Sequence, residues 1–459
     1  MRASQVSAFQ TLKMSLGPSS SHTHGPILIG NRFRQTVEHM DNCPDFDRLE
    51  VVIYWSLART GKGHMTDNAI LAGLSGLSPV DDDLEIINNT LPRVQQTKQL
   101  EFAGRTLEFH VDRDLVWAPD EQLPEHENGL ALRLYRGEEM ILERRFYSIG
   151  GGMIKEEGEG EHVSDRMEPH PYQYAAEWVM IARREGVPLS SIVKRNTCAV
   201  DGIDRETCNA RMMRIWQVMK TCIERGLNPT EPILPGLLKV KRRAPRLHLA
   251  ASHPSATDIF GQNDLGRLAT AFAYAVSEEN AASGRVVTAP TNGGAGVVPG
   301  VLRACQLHRE FSDSAVVNAL FTAAGIGGLI QANASISGSE VGCQGEVGAA
   351  CSMAAAAVAQ LYGGDIYMVE YAAEIAMEHS LGLECTPMQG YVQIPCIERN
   401  GIYAQKALAS AQHAMTLQQH RISLDLVIRK MYENGKHMDS DFKETSRAGF
   451  GPIEPDLNF

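Results

Sequence analysis

Residues 150–171 read GGGMIKEEGEGEHVSDRMEPHP. Three consecutive glycines and then a charged, glycine-punctuated run offer few groups that could be buried, so the stretch reads as the end of one folded unit and a linker to another. The linker is set at 156–171, between an N-terminal unit of residues 1–155 and a C-terminal unit of residues 172–459. The two sides carry different periodicities. Before the break, residues 26–39 place Ile27, Ile29, Phe33 and Val37 at helical spacing, with Pro26 suited to a first turn. Residues 49–57, LEVVIYWSL, form a β-type run, 64–77 reads as a helix, and alternating stretches follow at 107–111, 129–135 and 140–148. This side predicts an α+β domain. After the break nearly every segment has helical period: 172–185, 207–225, 264–282, 313–331, 345–361, 369–379 and 402–432. Many are rich in Ala and Gly, as in GEVGAACSMAAAAVAQLYGG at 345–364, which lets backbones approach closely in an all-α domain.

The length of 459 residues suits two or three domains with buried cores. A net charge of −12 repels phosphate backbones and anionic lipid, so neither nucleic acid nor a membrane is expected as a partner. The nine cysteines are too dilute and too odd in number for a disulfide scaffold, and nothing at the N-terminus reads as a signal peptide. Reduced thiols and a cytoplasmic location are the expectation. Residues 314–339 carry no charge, a length that could span a bilayer. That stretch contains Asn318, Gln331, Asn333 and the glycines Gly325, Gly327 and Gly328 and lacks basic flanks, so it reads as one or two buried helices.

Four clusters could carry chemistry. GPSSSHTHGP at 17–26 sets Ser19, Ser20, Ser21, His22 and Thr23 just before a helix expected to start at Pro26, where free N–H groups favour a carboxylate. Ordinary N-capping needs only one of these hydroxyls. RTGKGHMTDN at 59–68 sits where a strand turns into a helix. It projects His64 as a general base and Lys62 as a carboxylate clamp or tuning charge, with Thr66 or Asp67 as helix cap. APTNGGAGVVPG at 289–300 reads as an irregular loop in which Asn292 offers a donor and an acceptor. The fourth cluster is Cys343 in SEVGCQGE, Cys385 in GLECTPMQG and Cys396 in QIPCIERN, each flanked by Gly or Pro. Such irregular backbone lets N–H groups turn toward a thiolate that binds metal. The intervals, 41 residues and then 10, match no zinc or ferredoxin spacing. Three thiolates with no obvious fourth would leave one metal position open, the mark of a catalytic centre. The other six cysteines read as core or incidental thiols.

Six ordered motifs carry a resemblance: GPSSSHTHGP, TGKGHMTDNAI at 60–70, YSIGGGMI at 147–154, APTNGGAG at 289–296, SGSEVGCQGEVGAACSMAA at 337–355 and MEHSLGLECTPMQGYVQIPCIERN at 377–400. Together they resemble the single-chain bacterial iron-sulfur L-serine dehydratases, over about residues 7–428. The resemblance implies a 4Fe-4S cluster on Cys343, Cys385 and Cys396 with one iron free to bind L-serine. It also implies a homodimer in serine degradation, and a first domain like the allosteric substrate-binding domain of some phosphoglycerate dehydrogenases. His64 would take the Cα proton, while Ser19 to Thr23 and Asn292 would hold the carboxylate and ammonium. His24, Met65 and Thr386 depart from the family pattern. Two other readings compete: a pyridoxal-phosphate lyase using GGAGVVPG for phosphate and Lys62 for a Schiff base, and a non-enzymatic serine sensor.

Overall fold

The computed structural model describes residues 1–41, 45–160, 166–253, 264–417 and 420–455. Cys43 and part of the expected linker, residues 161–165, lie outside them. Strand Arg48–Tyr54 is the second strand of a five-stranded sheet. It pairs in parallel with Leu115–Ala118 and antiparallel with Gly129–Arg136, which continues to Glu139–Ser148 and Ile154–Glu156. The period of two then decides the faces. Leu49, Val51 and Ile53 join Leu130, Leu132, Leu134 and Phe146 on the face covered by Ile29, Phe33, Ile70 and Leu74. Those last four come from helices Gly25–Glu38 and Thr66–Leu74. The helices touch closely because Gly73 has no side chain: a Cβ there would lie 2.1 Å from the Ile27 carbonyl oxygen.

The differences from the sequence reading have local causes. The expected strand 49–57 stops at Tyr54, because Trp55 adopts φ 40° and opens the short helix Trp55–Thr60. The helix expected from His64 begins at Thr66, after Met65 at φ 56°. Leu115–Ala118 and the hairpin Gln99–Phe102/Arg105–Glu108 are too short for alternation to show more than part of them. Gly150, Gly151 and Gly152, all at positive φ, form the tight return from Ser148 to Ile154, so the triplet is a turn inside the sheet.

The N-terminal boundary moves as well. Ala3, Ala8, Phe9 and Leu12 pack into the core of the helical part, and Met14–Leu16 pairs antiparallel with Arg285–Val287. Thus residues 3–16 pack with the helical part. That part contains helix Asp313–Asn333, which takes in most of the charge-free stretch of the sequence. It is long and apolar enough to cross a bilayer, yet 78% of its apolar window is buried inside the protein. Helices Leu189–Asp201, Ala244–Ser252 and Val297–Arg309 were not legible in the sequence. The last starts inside the expected loop 289–300, with Pro299 tolerated in its first turn. The expected helix 402–432 is two, Cys396–Leu417 and Leu424–His437, the second capped by Ser423.

Candidate active site

Each of the three cysteines sits where the backbone leaves regular structure. Cys343 follows Gly342, at φ 73°, in a single tight turn ahead of helix Val347–Leu361. Cys396 opens helix Cys396–Leu417 behind Pro395. Cys385 is gripped on both sides by a distant segment: its amide donates to the Phe442 carbonyl at 2.9 Å, and its carbonyl accepts from the Glu444 amide at 2.7 Å. All three line one cavity together with Ser19, His64, Glu346, Arg399 and Glu444.

This wall is electrostatically unfinished. Burial, and then the Glu346 and Glu444 carboxylates and the other two sulfurs, push the Cys385 thiol well up. Cys343 and Cys396 are raised by burial as well, with Arg399 pulling both down and the Val347 amide also lowering Cys343. Arg399 donates to the Glu384 carbonyl at 2.8 Å. Glu346 accepts from the Thr291 hydroxyl at 2.9 Å and lies 3.7 Å from the Cys385 sulfur. Three sulfurs lining one cavity can be thiolates together only around added positive charge, and soft thiolate donors suit an iron-sulfur group. The donor set therefore fits one.

The opposite wall is already satisfied. Residues Ser20–His24 are a wide helical turn that runs straight into Gly25–Glu38, so helical backbone starts before Pro26. Ser19 organises it: its hydroxyl accepts the His22 amide at 3.1 Å, and its carbonyl accepts the Thr23 and His24 amides at 3.0 Å. The Thr23 hydroxyl donates to the His64 carbonyl at 2.7 Å, and the Thr66 hydroxyl to the His22 carbonyl at 2.6 Å. The two imidazoles face each other with centroids 4.6 Å apart.

Their tautomers follow from the partners. His64 Nδ1 lies 3.0 Å from the Thr60 carbonyl, which only accepts, so Nδ1 carries the proton. Nε2 is then a buried lone pair without a protein partner, and burial holds the pKa down to about 4. The Ser56 hydroxyl donates to the Glu444 carbonyl at 3.2 Å, so His22 Nε2 must donate to Ser56, at 3.2 Å, and Nδ1 accepts from Ser21 at 2.8 Å. Burial first, and then His64, keep His22 neutral. The Glu444 carboxyl lies 3.5 Å from His22 Nδ1, and one of its oxygens is buried without a partner. His22, His64 and Glu444 lie within 4.8 Å of one another, but both His22 nitrogens are engaged, which suits a proton network better than a metal.

The remaining expected residues divide. Ser19 and His64 line the cavity, whereas Ser21, His22, Thr23 and Thr66 brace it from behind. Ser20 is buried in the same turn, and Asp67 bonds the next amide in the first turn of its helix. Asn292 is not free to bind a ligand: it donates to the Leu16 carbonyl and to Asn280, and accepts from Ser15. Lys62 is exposed beside the Trp117 ring and outside the cavity lining, which removes both its proposed clamp and the Schiff-base lysine. Four functional side chains were missed. Glu346 and Arg399 stand three residues after Cys343 and Cys396, close enough to have been suspected. Ser56 and Glu444 gave no local signal.

Residues 83–451 match the family model described as serine dehydratase alpha chain. The chain belongs to the serine dehydratase family. It is 44% identical over 452 residues to the L-serine dehydratase TdcG of Escherichia coli K12, covering 97% of this chain and 98% of that protein. It is 41% identical to an L-serine dehydratase of Streptomyces coelicolor, at the same coverages, and 37% identical to that of Helicobacter pylori over 96% of this chain and 98% of the relative. The serine dehydratase model takes in the cysteine wall with Glu346, Arg399 and Glu444, while the histidine wall lies before residue 83 and is spanned by the near full-length relatives.

Proposed function

We propose that this chain is an L-serine dehydratase that eliminates water from L-serine to give pyruvate and ammonia. The observation that carries the reading is the convergence of three Gly/Pro-flanked thiols and the unpartnered Nε2 of a neutral His64 on one cavity. The reaction must remove a weakly acidic Cα proton and expel hydroxide, a poor leaving group. A 4Fe-4S cluster on Cys343, Cys385 and Cys396, when bound, supplies Lewis acidity toward the β-hydroxyl. His64 supplies the base: Nε2 can accept the Cα proton while Nδ1 stays anchored to Thr60. Ser19, which opens the Ser20–His24 turn, lines the cavity, so the start of that turn offers its amide end to the substrate carboxylate. His22 and Glu444 offer the abstracted proton a way out. Product enamine then tautomerises and hydrolyses in water.

The same reading assigns the sheet unit as an allosteric substrate-binding-like domain, the helical unit as catalytic, and the assembly as a cytoplasmic homodimer. The eight described cysteines are all free thiols, in keeping with a reducing compartment. Anaerobic purification with iron and sulfide analysis, alongside pyruvate release from L-serine, tests the proposal. The expected result is roughly four irons per chain and activity lost in air. A colourless, iron-free and active protein overturns it.

A further inference from the structure

A second cavity, of about 300 Å³, opens where the N-terminal segment meets helix Arg205–Leu227. Its charge is one-sided. Lys13, His24, Arg211 and Arg214 line it, and no carboxylate does, in a chain whose net charge is −12. Lys13 is half-buried and, among the described residues, its ammonium makes no hydrogen bond or ion pair; burial lowers its pKa to about 8. His24 is 3% exposed, and its Nδ1 is buried without a partner. Burial and the neighbouring Lys13 hold the imidazole neutral, at about 3. Gly152 packs on one edge of the ring, where a Cβ would come within 2.6 Å of Cδ2. At the rim, Arg211 lies over the Phe9 ring at 4.1 Å and 3.6 Å from Asp201. Arg214 is exposed and unpaired among the described residues.

A buried polar atom without a partner, such as His24 Nδ1, is costly, and a group of cations gathered beside it persists where something else completes the set. An ammonium, an imidazole with an unused ring nitrogen and two guanidinium groups around one concavity match the donor set that oxyanions select. We propose that this cavity binds a small oxyanion, a carboxylate or phosphate group seated between Lys13 and His24 with Arg211 and Arg214 at its mouth. The apolar floor of Phe9, Leu12 and Ile215 then takes the short carbon skeleton of the ligand. The position has a consequence for the cysteine cavity. His24 directly follows Thr23, whose hydroxyl holds the His64 carbonyl at 2.7 Å, so the bound anion grips the turn that positions the histidine wall from its other side.

Calorimetric titration and thermal unfolding of the full chain with orthophosphate and with malonate, at ionic strength fixed by chloride, test the site. Saturable binding of at least one anion is expected, and the tighter of the two identifies the head group. Lys13→Met and His24→Leu should each weaken it about tenfold or more, as loss of a charge-assisted partner does. Arg214→Ala alters only an exposed side chain and should weaken binding about threefold, which keeps the test decisive if the buried variants fail to fold. Absence of saturable binding by both anions overturns the proposal. So does binding that survives unchanged in the variants that fold, because the anion then sits elsewhere.

Discussion

The cavity has two walls built on opposite principles. The histidine wall is nearly finished: Ser19, Ser21, Ser56, Thr23 and Thr66 use hydrogen bonds to fix two neutral imidazoles, and of the four ring nitrogens of His22 and His64 only His64 Nε2 lacks a partner. The cysteine wall is a deficit. Burial and the neighbouring carboxylates and sulfurs push its thiols up, and Arg399 is the cation that draws Cys343 and Cys396 down. A wall that is satisfied by itself orients substrate without rearranging, and a wall that is not satisfied by itself binds whatever supplies the missing charge. The chemistry thus falls on different residues for different reasons, and variants on the two sides should fail differently.

The largest effect belongs to the unfinished wall. Cys343→Ala, Cys385→Ala and Cys396→Ala should each lose iron and reduce pyruvate release on the order of a thousandfold or more. Retained iron together with near-normal activity in any of them would erase the distinction between the walls. His64→Gln should keep its iron and lose turnover by about a hundredfold to ten-thousandfold, as removal of a general base does. Iron analysis beside kcat separates this failure from the first. Thr23→Val leaves the buried His64 carbonyl unpaired and should cost about 1–3 kcal/mol, visible as roughly tenfold in kcat/KM with iron unchanged. Lys62→Ala is the smallest: its exposed ammonium lies outside the lining, so kcat/KM should move less than about twofold. A large loss there would return Lys62 to the histidine wall.

The sequence carried the two units, the three cysteines and His64 because each has a local signature: a periodicity, a glycine-flanked thiol, an imidazole after a tight turn. It failed where meaning depends on partners far along the chain. Asn292 looks like a free amide in a glycine-rich loop, but Ser15, Leu16 and Asn280 consume its hydrogen bonds. Lys62 looks poised beside His64, but the chain turns between them, and His64 goes inward while Lys62 stays out. Gly63, between the two, is where the walls meet, since a Cβ there would come within 2.7 Å of the Gly390 carbonyl oxygen. Residues 3–12 have no local mark of belonging to a helical core that begins more than a hundred and fifty residues later.

The grip of Phe442 and Glu444 on Cys385 bears on how the enzyme comes into being. Glu444 is separated by 388 residues from Ser56, whose hydroxyl it accepts, so the cavity closes only after nearly the whole described chain has been synthesised. Contacts of such long range form late in folding. A nascent chain therefore carries three reduced thiols before it owns the segment that shields them, and oxygen or stray metal has its best access during synthesis rather than during turnover.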